Sequence, residues 1–154
     1  MSMQGIINNM KTIVVGDKFE GKYSYRETCF GIVRNKESFL VVEKNNQYSL
    51  VGGGIEENET YKECLKREFL EESGYEIKHI EELVCIDCFW LAAGKYPMES
   101  KANIFVVEID LNNKEVLEDG CITRWISEEE LKSKLPLPYH KKAIEYYLEF
   151  YNKK

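Results

Sequence analysis

Residues 53–75 read GGIEENETYKECLKREFLEESGY, and the punctuation of this stretch forces most of it into a single helix. Thr60 followed three residues later by Glu63 is a capping-box signature, and Gly74 stands where a helix needs a left-handed residue to stop. A helix of about four turns follows. Stepping about 100° per residue from Glu68 puts Glu72 about 40° to one side and Glu71 about 60° to the other, with Leu65 and Phe69 beside them on a narrow apolar stripe. One flank therefore packs inward while its neighbour carries clustered acid.

Like charges at i,i+3 and i,i+4 oppose a helix by roughly 0.2–0.5 kcal/mol per pair, and burial makes the repulsion worse. Glu56, Glu57, Glu59, Glu63, Glu68, Glu71 and Glu72 face only Lys62, Lys66 and Arg67 here, a net charge of −4 out of −6 for the whole chain. A hard divalent cation held by carboxylate oxygens would offset this. No His or Cys adjoins Glu68, Glu71 and Glu72, which favours Mg²⁺ or Mn²⁺ over Zn²⁺. A solvated acidic helix face is the competing reading, and the helical spacing leaves the two level.

The wider pattern separates them. G-x5-E-x7-R-E-U-x-E-E-x-G-U, with U a bulky apolar residue, is met by Gly53, Glu59, Arg67, Glu68, Phe69, Glu71, Glu72, Gly74 and Tyr75. This resembles the Nudix box. Phe69 and Tyr75 are aromatic where that family usually has Ile, Leu or Val, and Val51 replaces a frequent Pro; altered packing, with the chemistry kept, is the expected consequence.

The resemblance implies a loop–helix–loop that binds divalent metal, Mg²⁺ or Mn²⁺, and hydrolyses a nucleoside diphosphate linked to another group X. It makes Glu68 and Glu72 metal ligands, with Glu71 joining them or helping to activate water. It pairs Glu59 with Arg67 to hold the loop against the helix, and lends the carbonyl of Gly53 to the coordination. A further carboxylate from a later loop often assists, and Glu118 is the candidate by position.

The residue types suit that chemistry on their own terms. Diphosphate oxygens repel an incoming nucleophile, so catalysis needs cations to neutralise phosphate and a base to orient or deprotonate water. The run Gly52–Gly54 lets backbone approach metal or phosphate without a Cβ in the way. Candidates for substrate contact are Arg26, with Lys95 and Lys101, for phosphate, and Tyr48, Trp90 and Tyr96 for stacking on a base. The Ala92–Lys101 segment, with Gly94 and Pro97, reads as the longest loop after the box and as a wall of the substrate pocket.

The rest of the chain reads as one domain. At 154 residues it can bury a substantial core but not two. Residues 1–9 are polar and Asn-rich, expected to be a frayed leader, with a single domain over 10–154. β-branched and apolar runs predict strands at Thr12–Val15, Tyr23–Val33, Ser38–Glu43, Gln47–Val51, Leu83–Trp90, Asn103–Ile109 and Ile122–Ile126. Ser127 with Glu130 opens a short helix ending before Pro136, and another runs from about His140 to Tyr151. A central mixed β-sheet between helices follows, an α/β class chain resembling the Nudix α/β/α sandwich.

Five cysteines, scattered and odd in number, argue for reduced thiols; Cys85-x-x-Cys88 lies in a strand-like run with no second ligand pair, and reads as strand-borne. His79 and His140 are isolated. The chain has no apolar run of membrane-spanning length and no signal-peptide pattern, so a cytoplasmic protein off the membrane is expected. A net charge of −6 disfavours long nucleic acid as a partner and leaves small nucleotide-type substrates, whose phosphates the metal would meet. Open strand edges are compatible with a homodimer. Two other functions fit the same fold: a nucleotide-sensing module without catalysis, disfavoured by the intact acid set, and a diphosphate-handling isomerase, which would need a reactive Cys in the pocket.

Overall fold

The computed structural model describes residues 10–114, 117 and 121–152, so the expected leader over 1–9 and the Glu118 candidate lie outside the described residues. Strands β1 (Thr12–Val15), β2 (Ser24–Ile32), β3 (Arg34–Asn35), β4 (Ser38–Lys44), β5 (Gln47–Ser49) and β6 (Val51–Gly54) lead into helix α1 (Tyr61–Ser73). Then come β7 (Tyr75–Ala92), β8 (Tyr96–Lys114), β9 (Ile122–Ser127), α2 (Glu128–Lys134) and α3 (Pro138–Asn152).

A five-stranded mixed sheet in the order β1-β7-β8-β2-β6 forms the centre. β1 runs parallel to β7 and β2 parallel to β8, while β2–β6 and β7–β8 are antiparallel. β4 has backbone partners on both edges, β3 and β5 along one and β9 along the other, and its apolar run is buried because Phe39 and Val41 enter one core while Leu40 and Val42 enter the other. Asn45 and Asn46, with φ of 50° and 63°, turn β4 into β5 in two residues, the left-handed pair a tight hairpin requires and asparagine tolerates. Lys44 is thereby left at the very end of β4.

Helices cover the central sheet on opposite faces. On one, α1 presses Cys64, Leu65 and Phe69 onto Cys29, Val51, Phe105 and Val107. On the other, α3 lays Tyr139, Ala143, Ile144 and Tyr147 over Phe30, Ile32, Ile86 and Ile104, with Leu131 of α2. The two aromatic departures in the box are accommodated by packing. A Cβ on Gly31 would stand 2.6 Å from Phe69 Cζ and 2.7 Å from Val107 Cγ2, so the glycine makes room for the ring. Tyr75 rests edge-on against Trp125, with ring centres 6.4 Å apart.

The structure corrects the extent of two strands. β7 and β8 run 18 and 19 residues, far beyond Leu83–Trp90 and Asn103–Ile109. Register shifts at Tyr75/Ile77, Ile77/His79 and Glu82/Val84 break the period-two pattern, so the polar first half of β7 pairs without the alternation that marks a strand. The expected Ala92–Lys101 loop is a tight turn at Ala93, Gly94 and Lys95: Tyr96–Lys101 pairs with β7 on one side and, from Met98, with β2 on the other. Only half of the second capping box forms, the Ser127 hydroxyl accepting from the Glu130 amide while the Glu130 carboxylate turns to Lys134. Cys85 and Cys88, three apart on a strand, point to opposite faces and cannot share a ligand.

Candidate metal centre and substrate face

The box helix is held at both ends as its sequence predicts. Thr60 Oγ1 accepts from the Glu63 amide at 3.1 Å while the Glu63 carboxylate accepts from the Thr60 amide at 2.9 Å. Gly74, at φ 75°, donates its N–H back to Phe69 and Leu70. So anchored, α1 directs its acid flank at β6. The approach is close: a Cβ on Gly53 would fall 2.7 Å from Glu68 Oε1, leaving the Glu68 carboxylate against bare backbone.

Arg67 organises the loop. Its Nε and Nη2 donate to the two oxygens of Glu59 at 2.6 and 2.9 Å, a bidentate pair, and Nη2 also donates to the Gly54 carbonyl at 3.0 Å. Its Nη1 donates to Glu68 at 2.8 Å and to Glu71 at 3.3 Å. Glu59 Oε1 also accepts the Glu56 amide at 3.0 Å, closing the loop onto the helix. The guanidinium holds Glu59 down from 4.5 to about 2, and the carboxylates in turn hold Arg67 firmly charged.

Glu68 and Glu72 lean on different partners. Burial pushes both carboxyls up, against Arg67 at Glu68 and against the Gly52 amide and Lys44 at Glu72. Glu72 Oε1 accepts the Gly52 N–H at 2.9 Å and Oε2 accepts from Lys44 Nζ at 3.3 Å. Partial burial draws the Lys44 ammonium down, but Glu72, with Cys121, outweighs it and raises its pKa. Glu71 is exposed, its side chain 58% accessible. Among the described residues no three acidic, His or Cys side chains close on one point. Arg67 and Lys44 draw the carboxylates toward themselves.

The donor set nevertheless fits a hard divalent ion: two desolvated carboxylates, a third at the rim, and a glycine carbonyl on the adjoining strand. Cys64, fully buried beneath, is a poor rival ligand, its Sγ lying 3.8 and 3.6 Å from the carbonyls of Gly53 and Gly54.

Three of the six stacking or phosphate candidates share the other face of the sheet. Register pairs Arg26 with Ser100, Trp90 with Met98 and Ala92 with Tyr96, which puts Arg26, Trp90 and Tyr96 on the side covered by α3. Arg26 lies over Gly54, where a Cβ would meet its Nη2 at 3.1 Å. Trp90 Nε1 donates to Ser100 Oγ at 2.9 Å, and its ring stands 5.8 Å from Tyr139. Burial pushes the Tyr139 phenol up while Arg26 and Ser100 pull it down. Tyr96 is exposed at the hairpin tip beside Lys95. Tyr48 stands apart on β5, its ring beneath Lys134, and Lys101 faces the α1 side between Glu27 and Asp87. Sequence reasoning missed Lys44, Ser100 and Tyr139. The nearest signal for Lys44 was its place just before the Asn-Asn turn; the other two had none.

A family model described as NUDIX domain matches residues 25–150. No curated protein matches the chain. Among solved structures, a MutT protein from Bacillus halodurans superposes with a TM-score of 0.66 at 20% identity, over 80% of this chain and 82% of that one. A NUDIX hydrolase from Nitrosomonas europaea gives 0.64 at 20% identity, over 82% and 90%. A MutT protein from Methanosarcina mazei Go1 gives 0.61 at 20% identity, over 88% and 100%. At such identities these likenesses speak to the fold.

Proposed function

The chain belongs to the NUDIX family of hydrolases, and from that premise we propose that it cleaves the diphosphate linkage of a nucleoside diphosphate joined to another moiety, using Mg²⁺ or Mn²⁺. The observation that carries this reading is the seating of Glu68 against the bare backbone of Gly53, with Glu72 beside it on the Gly52 amide. Glu68, Glu72 and the Gly53 carbonyl would hold the ion, which when bound neutralises phosphate charge and makes its water acidic. Glu71, exposed and only loosely tied to Arg67, is the carboxylate able to move and accept a proton from water. Arg67 and Glu59 position the others without touching the reacting atoms. Glu118 remains the proposed further carboxylate.

Arg26, over Gly54, suits the phosphates between the metal centre and an aromatic wall of Trp90, which the buried Tyr139 backs from the core, with Tyr96 farther out. Stacking on such a wall tolerates any base, so this reading commits to a nucleotide and not to one nucleobase. Among the described residues no helix is long and apolar enough to cross a membrane.

The test is a panel of nucleoside triphosphates, nucleotide sugars and dinucleotides incubated with Mg²⁺ or Mn²⁺, with products identified by mass. A nucleoside monophosphate from at least one substrate, lost in Glu72→Gln, is the expected result. Tight nucleotide binding that ignores metal and yields no product would replace the hydrolase with a sensor.

A further inference from the structure

The two oxygens of Glu72 are taken by groups of unlike mobility. Oε1 accepts the Gly52 amide, which β6 fixes through its pairing with Phe30 on β2. Oε2 accepts from Lys44, whose side chain is 52% accessible and stands on the last residue of β4. Arg67 is no substitute partner, being committed to Glu59, Glu68, Glu71 and the Gly54 carbonyl. A lysine suits a partner that must leave, since its ammonium is a hydrated point charge on a four-carbon stem.

We infer that Lys44 is a displaceable counter-ion of the metal centre: its ammonium and a divalent cation compete for Oε2 of Glu72, and once displaced it turns to the phosphates of the substrate. The inference rests on the metal reading above. Lys44 keeps a desolvated carboxylate oriented toward Gly52 until a stronger cation arrives. Two cations on one oxygen repel, so the ammonium swings out on its own stem without moving β4. Its positive charge then remains beside the site where phosphate must come, where an ammonium binds well.

The test is Mn²⁺ binding to the full chain without nucleotide, read from the electron paramagnetic resonance signal of free Mn²⁺. Lys44→Met, which keeps the apolar stem, should bind Mn²⁺ about two- to fivefold more tightly, the range for a half-exposed ion pair. Lys44→Arg should stay near the native value. At saturating Mn²⁺, Lys44→Met should raise KM for the nucleotide more than it lowers kcat. Equal or weaker Mn²⁺ binding by Lys44→Met overturns the competition, and an unchanged KM overturns the phosphate role. Tighter Mn²⁺ binding in a protein that hydrolyses nothing keeps the counter-ion and sinks the hydrolase; hydrolysis with unchanged Mn²⁺ affinity does the reverse.

Discussion

The two faces of the central sheet solve different problems with the same strands. On the α1 face charge is concentrated and compensated: Glu59, Glu68 and Glu71 converge on Arg67, and Glu72 on Lys44 and a backbone amide. On the α3 face charge is largely excluded. Trp90, Tyr139 and the fully buried His140 gather beside Phe30, with Arg26 at the edge. Under the proposed function, reaction chemistry would fall to the first face and recognition to the second, and Gly53 and Gly54, consecutive on β6, present one bare face to each. A change among the α1-face carboxylates should therefore alter turnover or metal affinity and a change on the α3 face substrate affinity, with Lys44 the one expected crossover.

The largest expected break is Glu72→Gln. It keeps an acceptor for the Gly52 amide but removes the charge, so turnover should fall about 10²- to 10³-fold while circular dichroism is unchanged. Product formation at near-native rate would remove Glu72 from the chemistry. Gly53→Ala comes next: the new methyl displaces the Glu68 carboxylate, and Mn²⁺ affinity should weaken about 10- to 100-fold. Trp90→Ala sharpens the contrast from the other side. It should raise KM for the nucleotide about tenfold and leave Mn²⁺ affinity alone, as measured by initial rates and metal titration.

The smallest effect at neutral pH is on stability, and there His140 and the two raised carboxyls carry opposite signs. Burial lowers His140 from 6.5 to about 3, so the native state binds fewer protons than the unfolded chain and stability is lost as pH falls from 6.5 toward 3. Glu68 and Glu72, raised by burial, do the reverse, gaining stability as acid protonates them. Glu59, held at about 2, adds a loss that begins below 4.5. Urea unfolding between pH 7 and 3 should show His140→Gln flattening the acid loss and Glu72→Gln steepening it. Parallel curves for all three proteins would refute the assignment.

What was legible in the sequence follows from chain distance. Glu59, Arg67, Glu68, Glu71 and Glu72 lie on one loop and one helix framed by Thr60 and Gly74, so local rules place them. Lys44 joins them from 28 residues upstream, and Tyr139 meets Trp90 from the far end of the chain; no local spacing encodes either contact. The short strands β1, β4 and β9 were readable because their side chains alternate or run continuously apolar. β7 and β8 were not, because three register shifts scramble the alternation that reveals a strand. The supposed loop at Ala92–Lys101 failed for a related reason: glycine, lysine and proline signal a turn, but not how soon pairing resumes.

Along the parallel pairing of β2 with β8 the Thr28 hydroxyl donates to the Lys101 carbonyl across 73 positions of chain, and the whole box lies inside the loop so closed. Phe69 is floored by Gly31 from one side of that pairing and Val107 from the other. The 23-residue motif therefore has caps of its own but no floor of its own. Excised as a peptide it should be a frayed acidic helix, and during synthesis its carboxylates gain their buried seat only after Val107 has been added to the growing chain.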